Sequence, residues 1–195
     1  MWDERYGSLE YVYGTKPNDF LVSSASRIPK GKVLCLGEGE GRNAVYLASL
    51  GYEVVAVDQS SVGLAKAEKL AQQQNVQIQT ITANLANFMI QPKAWDGIVS
   101  IFCHLPSTLW RRVHREAVTG LKQDGVLVLE AYSPHQLKFK TGGPTNLDFL
   151  VSLDVVKTEL ADLDLEVVQE IERDVTEGIY HTGRAAVVQV VGKSH

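Results

Sequence analysis

Cysteine is scarce: two in 195 residues, Cys35 and Cys103, each inside an apolar run. That excludes a disulfide framework and leaves too few thiols for a cysteine-built metal centre, so no metal is expected. Long hydrophobic runs are missing too; none approaches the roughly 20 apolar residues that span a bilayer. The opening residues, Met1-Trp2-Asp3-Glu4-Arg5, lack a basic stretch followed by an apolar segment. No secretory leader is read there, and a cytoplasmic protein without a membrane partner is expected. Positive charge is in deficit, 19 Lys and Arg against 23 Asp and Glu for a net −4. A broad phosphate-binding face needs the opposite balance, which argues against nucleic acid as a partner. Internal repeats, low-complexity tracts and charge blocks do not occur, and no sustained heptad specifies an oligomer. What is left is an ordinary globular composition, 45% hydrophobic and 22% charged, at a length that suits one domain over residues 1–195.

Against that background residues 32–58 stand out. Val33-Leu34-Cys35-Leu36 is a short apolar strand pattern, followed by the glycine loop Gly37-Glu38-Gly39-Glu40-Gly41. A helical pattern then runs through Ala44, Val45, Leu47 and Ala48 to a stop at Gly51, and Val54-Val55-Ala56-Val57-Asp58 is a second strand. This is the opening of a βαβ unit. Glycines at 37, 39 and 41 let the main chain turn sharply and approach a ligand with no Cβ between them. Asp58, ending the second strand, is placed to accept from both hydroxyls of a ribose, as the acidic residue about 20 residues beyond the loop does in a dinucleotide site. A dinucleotide loop G-x-G-x-x-G needs glycine at position 42, where Arg42 stands. That disfavours a nucleotide-dependent oxidoreductase, and a tight strand-to-helix turn without a ligand is the plainer alternative.

The run from Val33 to Ala48 resembles the cofactor loop of class I S-adenosylmethionine-dependent methyltransferases, most closely their small tellurite-resistance-related members. The resemblance implies an α/β, single-domain Rossmann-like methyltransferase fold. Its seven-stranded, mostly parallel sheet would have the order 3-2-1-4-5-7-6, with the last strand antiparallel and helices on both faces. S-adenosylmethionine is the implied cofactor, its methyl group passing to a small-molecule acceptor by in-line displacement; a noncatalytic S-adenosylmethionine-binding regulator is the alternative. The implied cofactor residues are Gly37, Glu38, Gly39, Gly41, Arg42, Asn43, Asp58, Gln59, Asn84 and Leu85. Glu38 would face the cofactor's ammonium, and the N-terminus of the helix behind the loop suits its carboxylate. Cys35 and Asn84 stand where the family commonly has acidic residues. The amide oxygen of Asn84 can accept from adenine's amino group without supplying charge, and a local turn is its other use.

Residues 1–29 carry Trp2, Tyr6, Tyr11, Tyr13 and Phe20. The resemblance makes this segment a lid over a core of residues 30–195, with Arg5, Tyr6 and Tyr13 on the substrate side; aromatics covering the core edge is the alternative. Further strands are read over 76–82, 98–102, 126–132, 165–171 and 185–191, with helices after Ser60 and around Val155 and Leu160. Leu109, Val113, Ala117 and Leu121 mark another helix, whose other face is Arg111, Arg112, His114 and Arg115. Cys35 and Cys103 end neighbouring strands and pack as small hydrophobes. In a parallel sheet the ligand crevice lies beyond the carboxyl ends of the strands. His104 follows the fourth strand there, as a general base, a substrate contact or a structural hydrogen-bonder. Tyr132 ends the fifth strand on that side, and the polar connection 133–150 would hang over the pocket as a specificity lid. Tyr180 and His181, in the loop 178–184, are the remaining candidates for catalysis or substrate contact.

Overall fold

Val33 and Cys35 point to one face of the strand β1 (Lys32–Leu36), and Leu34 and Leu36 to the other. A strand apolar on both sides must be covered on both sides, which places it in the middle of a helix-flanked sheet. The computed structural model describes residues 2–195 and has this arrangement. β1 pairs in parallel with β2 (Glu53–Asp58) and with β4 (Trp95–Ile101). Outside them lie β3 (Gln79–Thr82) on β2 and β5 (Leu121–Tyr132) on β4, both parallel. β7 (His181–Lys193) runs antiparallel to β5 and to the edge strand β6 (Asp164–Glu177). The order is 3-2-1-4-5-7-6, as the resemblance implied.

Among the described residues there are six α-helices: α1 (Trp2–Tyr6), α2 (Asp19–Ser24), α3 (Arg42–Ser49), α4 (Ser61–Gln73), α5 (Ser107–Gly120) and α6 (Leu153–Glu159). Leu21 of α2 and Ala44 and Leu47 of α3 pack in the layer containing Val33 and Cys35. Trp110, Val113 and Ala117 of α5, with Val156 of α6, pack in the layer containing Leu34 and Leu36. α3 starts after Gly41, at φ 89°, and its chain reverses at Gly51, at φ 87°, the left-handed conformation that glycine adopts without strain. Ser60 caps α4 by accepting from the Gly63 N–H at 3.0 Å.

Several boundaries differ from the sequence expectation. β3 begins at Gln79 rather than residue 76. Leu121 is the first residue of β5, not the last of the helix, because the five-residue step from Leu121 to Val126 lies opposite a two-residue step from Trp95 to Gly97. The polar Gln123-Asp124-Gly125 turn is thus a bulge inside the strand, with Asp124 at φ 65°. β6 and β7 extend past their apolar portions to Glu177 and His181, so the connecting loop is Gly178 to Tyr180 alone. His114 is not on the basic surface of α5. It is fully buried, stacked on Trp110, with Ser100 Oγ at 3.0 Å from Nε2 and the Trp110 carbonyl at 2.8 Å from Nδ1. A carbonyl only accepts, so Nδ1 carries the proton and Nε2 accepts from Ser100.

The connection 133–150 does not hang over the cavity described below. Gln136, buried, accepts from the Ala186 N–H at 2.9 Å and donates to the Gly142 carbonyl at 3.0 Å, and Thr141 Oγ1 donates to the Arg184 carbonyl at 2.5 Å. These bonds fasten the segment along β7 instead.

Candidate functional site

The parallel register brings the carboxyl ends of β1, β2 and β4 to one edge, where a cavity of about 100 Å³ opens to solvent. The glycine loop forms one wall, and its three glycines serve different ends. Gly37, at φ 61°, faces the cavity, and a Cβ there would sit 2.7 Å from Cys103 Sγ. Gly39 makes room for Tyr6, whose hydroxyl would be 2.5 Å from an added Cβ, and Gly41 makes room for Ala67 of α4, 2.4 Å away. Neither Gly39 nor Gly41 lines the cavity; the two are needed for packing of α1 and α4 behind the loop.

Asp58 is buried and ties the loop to β2: the Gly39 N–H donates to Oδ2 at 2.9 Å and the Ser60 N–H to Oδ1 at 2.8 Å. Burial raises its pKa, opposed by those N–H donors. The Gln59 N–H also bonds the carboxylate, and of its four lone-pair sites one is left for a ligand. Glu38 also lines the cavity, and its Oε1 accepts from the N–H groups of Asn43 at 3.0 Å and Ala44 at 2.8 Å. The first turn of α3, expected from the sequence to meet a ligand carboxylate, is therefore already capped by a carboxylate of the chain. Burial pushes the Glu38 carboxyl up to about 7 against the pull of those N–H donors and of Arg42. Gln59, Asn84 and Leu85 line the far wall. Asn84 Oδ1 accepts from the Ala86 N–H at 2.8 Å, the local turn that was its alternative role.

The N-terminal segment supplies Trp2, Tyr6 and Tyr13 to the lining. Asp3 accepts from Ser60 Oγ at 2.5 Å, and Lys66 Nζ donates to the carbonyls of Ser8 and Glu10 at 3.1 and 2.6 Å and to the Glu40 carboxylate. Glu40 in turn accepts from the Tyr13 N–H at 3.2 Å. Arg5 does not line the cavity; it donates to the Tyr13 hydroxyl at 3.0 Å and lies over the rings of Trp2 and Tyr180 at 4.9 and 5.4 Å. Tyr180 is likewise outside the lining, its ring 6.0 Å from that of Tyr13.

Beyond β4 the chain turns at Phe102, whose φ of 50° is unusual for a bulky residue, and this aims Cys103 and His104 at the cavity. The His104 ring stacks on Tyr132, 5.8 Å between centroids, and lies 6.1 Å from His181. Tyr132 is buried behind these rings and does not itself reach the lining. Burial, with help from His181 and Arg5, drives the His104 pKa down to about 3, and burial lowers that of His181 against the pull of Glu177. Burial also pushes the Cys103 thiol up to about 12, which leaves it a poor nucleophile. Cys35 and Cys103 are both buried free thiols.

Sequence reasoning missed what stands behind Arg42. Its Nη2 donates to Glu177 Oε2 at 2.6 Å, and Asn18 Nδ2 reaches Glu177 at 2.8 Å and Glu130 at 2.5 Å. Glu130 also accepts from Arg173 through Nε at 2.7 Å and Nη2 at 2.8 Å, and from Gln189 at 2.8 Å. Burial opposes ionisation of Glu177, but His181 at 3.7 Å, the Arg42 charge and the hydrogen bonds from Arg42 and Asn18 hold it at about 2. Only a polar residue inside an apolar strand, Glu130 in Val126 to Tyr132, signalled this network in the sequence. Four buried side-chain polar atoms have no hydrogen-bond partner among the described residues, and three of them belong to residues lining the cavity: Arg42 Nη1, His104 Nε2 and His181 Nδ1, the last of which lies 3.7 Å from Glu177 Oε2. No group of three or more metal-ligating side chains occurs among the described residues.

Residues 33–125 match the family described as methyltransferase domain. A curated relative, the probable S-adenosyl-L-methionine-dependent methyltransferase TehB of Haemophilus influenzae, is 36% identical over 97 residues, half of this chain and 33% of that protein. The chain thus spans about a third of that relative's length. The crystal structure of TehB from Haemophilus influenzae superposes with a TM-score of 0.74 over all of this chain and 66% of the other, at 19% identity. A structure described for the conversion of a disulfide bond into a thioacetal group during echinomycin biosynthesis superposes at 0.76, 15% identical, over 97% of this chain and 86% of the other. These matches bear out the resemblance in fold and family that residues 32–58 carry.

Proposed function

We propose that this chain, with the fold and the sequence signature of the class I S-adenosylmethionine-dependent methyltransferases, transfers a methyl group from S-adenosylmethionine to a small-molecule acceptor by in-line displacement. The observation that carries this reading is the meeting of Arg42 Nη1 and His104 Nε2, buried and without hydrogen-bond partners, with His181 at one cavity beside the glycine loop and Asp58. Buried polar atoms are normally satisfied, so a cavity bordered by two such orphans suits a polar ligand.

When bound, the cofactor supplies an electrophilic methyl on a sulfonium. The chain's part is to hold and orient: Asp58 and Gln59 on the ribose side, Asn84 and Leu85 at the adenine, and Gly37, Glu38, Arg42 and Asn43 toward the amino-acid end. His104, His181 and Tyr13 face the acceptor, with Phe102 and Tyr132 behind them. Fixing two reactants in line lowers the barrier by about 7–11 kcal/mol, more than any other effect such a site has to supply. Both imidazoles are neutral at pH 7 because their pKa values are lowered, and the same lowering makes them weak bases, which suits them to positioning an acceptor and not to deprotonating it. Two free cysteines support a reducing, cytoplasmic setting, and no described helix is long and apolar enough to cross a membrane.

The test is isothermal titration with S-adenosylhomocysteine beside an NADH control, then turnover of S-adenosylmethionine against thiols, alcohols, amines and oxyanions. Saturable S-adenosylhomocysteine binding, no response to NADH and turnover with one acceptor class are expected. An NADH response would restore the oxidoreductase reading, and binding without turnover the regulatory one.

A further inference from the structure

Two side-chain charges largely withdrawn from solvent take no part in the proposed reaction. Glu40, in the glycine loop, is 3% exposed and lines the cavity, and Lys66 of α4 meets its carboxylate with a side chain 14% exposed. Lys66 Nζ also donates to the carbonyls of Tyr6, Ser8 and Glu10 at 3.3, 3.1 and 2.6 Å, and the Tyr11 hydroxyl returns to the Lys66 carbonyl at 3.0 Å. Three N–H donors thus serve four acceptors, which leaves none for a ligand. The other Glu40 oxygen accepts from the Tyr13 N–H at 3.2 Å, and the Tyr13 ring lies 4.6 Å from that of His181. One ion pair therefore joins the glycine loop to residues 6–13, which carry Tyr6 and Tyr13 into the lining. Ser8, Leu9 and Glu10 are exposed, and this cation draws their main chain onto α4.

We propose that Lys66 is a positioning residue that couples the glycine loop to the N-terminal segment: cofactor bound beside Glu40 fastens residues 6–13, and that fastening completes the seat of the acceptor. This rests on the methyltransferase reading. Without a ligand beside it, Glu40 is hydrated once Lys66 lets go, and release of the segment costs little. A ligand in the cavity excludes that water, and an unpaired carboxylate in a dry site is strongly disfavoured. The fastened state gains by the difference, which is what a ligand must supply to shift a two-state segment. Because Glu40 also holds the Tyr13 N–H, closing the ion pair sets the Tyr13 ring against His181. The cofactor accordingly binds first and the acceptor second.

The experiment is proteolysis at Glu10 by a glutamate-specific protease, read by mass spectrometry, because Lys66 holds the carbonyl of the bond to be cut at 2.6 Å. Wild type, Lys66→Arg, Lys66→Met and Lys66→Met with Glu40→Gln are compared with and without saturating S-adenosylhomocysteine, its binding followed by titration calorimetry. Cleavage at the fully buried Glu130 reports global unfolding. The double variant has no stranded carboxylate and decides the matter should Lys66→Met unfold. S-adenosylhomocysteine is expected to slow cleavage at Glu10 about tenfold in wild type and Lys66→Arg and to leave it unchanged in the two Lys66→Met proteins. Loss of a merely structural tie would raise the cleavage rate in every state and leave the ligand's effect intact. Equal protection of wild type and both Lys66→Met proteins therefore overturns the coupling, as does wild type that binds S-adenosylhomocysteine and gains no protection. Wild type that binds none in the calorimeter removes the methyltransferase reading and the coupling together, an outcome distinct from either.

Discussion

The Gly39 N–H donates to Asp58 Oδ2 at 2.9 Å, so one carboxylate both holds the glycine loop and borders the cavity. Asp58→Ala is expected to weaken S-adenosylhomocysteine and 5′-methylthioadenosine alike, each by about tenfold to a hundredfold, because a ribose contact is common to both. It should also lower stability by about 1–3 kcal/mol, since the N–H groups of Gly39 and Ser60 lose their acceptor. Titration calorimetry with the two probes, beside urea unfolding, measures both effects. Affinity unchanged while stability falls would leave Asp58 a loop tether alone.

Glu130 is fully buried and receives two hydrogen bonds from Arg173. Arg173→Met strands that carboxylate, at a cost of about 3–5 kcal/mol. Adding Glu130→Gln removes the uncompensated charge while leaving an amide oxygen for one of Asn18 and Gln189, which donate to different oxygens of the carboxylate. The double variant is therefore expected to be more stable than Arg173→Met in urea, and a strictly additive pair would refute the coupling.

What the sequence makes legible here follows from how local each constraint is. β1, β2 and their glycine loop show themselves because a strand buried on both faces must be continuously apolar, and Gly37 and Asp58 are tied to it at fixed offsets. The pairing of Arg42 with Glu177 spans 135 positions and leaves no local trace. The ends of β6 and β7 were missed for a related reason. Glu172, Arg173, Asp174 and Glu177 break the apolar alternation, yet Arg184, Glu130 and Arg42 pair with them across the sheet. His114 read as surface because its neighbours are arginines, and only Ser100 and the Trp110 carbonyl make its burial tolerable. Gly41 reads as a ligand glycine, although its constraint comes from Ala67 of α4.

Two glycines with nearly the same backbone separate strain from packing. Gly41 and Gly51 have φ of 89° and 87°, but a Cβ at 41 meets Ala67 Cβ at 2.4 Å and Cα at 2.7 Å, whereas one at 51 meets nothing within 4 Å. Gly51→Ala is expected to cost about 1–2 kcal/mol, the left-handed penalty alone. Gly41→Ala adds overpacking of about 1–3 kcal/mol, so its unfolding midpoint in urea should fall clearly further. Equal losses at the two positions would mean that α4 yields without resistance.

The pH dependence of stability isolates His104. Its folded pKa of about 3 lies below the ordinary 6.5, so the unfolded chain takes up a proton that the folded chain refuses. Stability from this group is complete above pH 6.5 and is lost as pH falls toward 3, by about 1.4 kcal/mol per pH unit. His114, lowered to about 4, acts in the same direction, whereas Glu38, raised from 4.5 to about 7, acts oppositely: its contribution is complete below 4.5 and is lost as pH rises through 7. Between pH 6 and 5 His104 and His114, with His181 lowered in the same direction, thus oppose Glu38 and the raised Asp58, and wild type should lose stability on acidification. His104→Phe keeps an aromatic ring against Tyr132 and removes the His104 contribution alone. Urea unfolding at pH 6, 5.5 and 5 should give the variant a slope shallower than wild type by about 1.4 kcal/mol per pH unit. Identical slopes would place the His104 ring in contact with water, where it titrates the same way folded and unfolded, and would remove the dry acceptor wall from the proposed site.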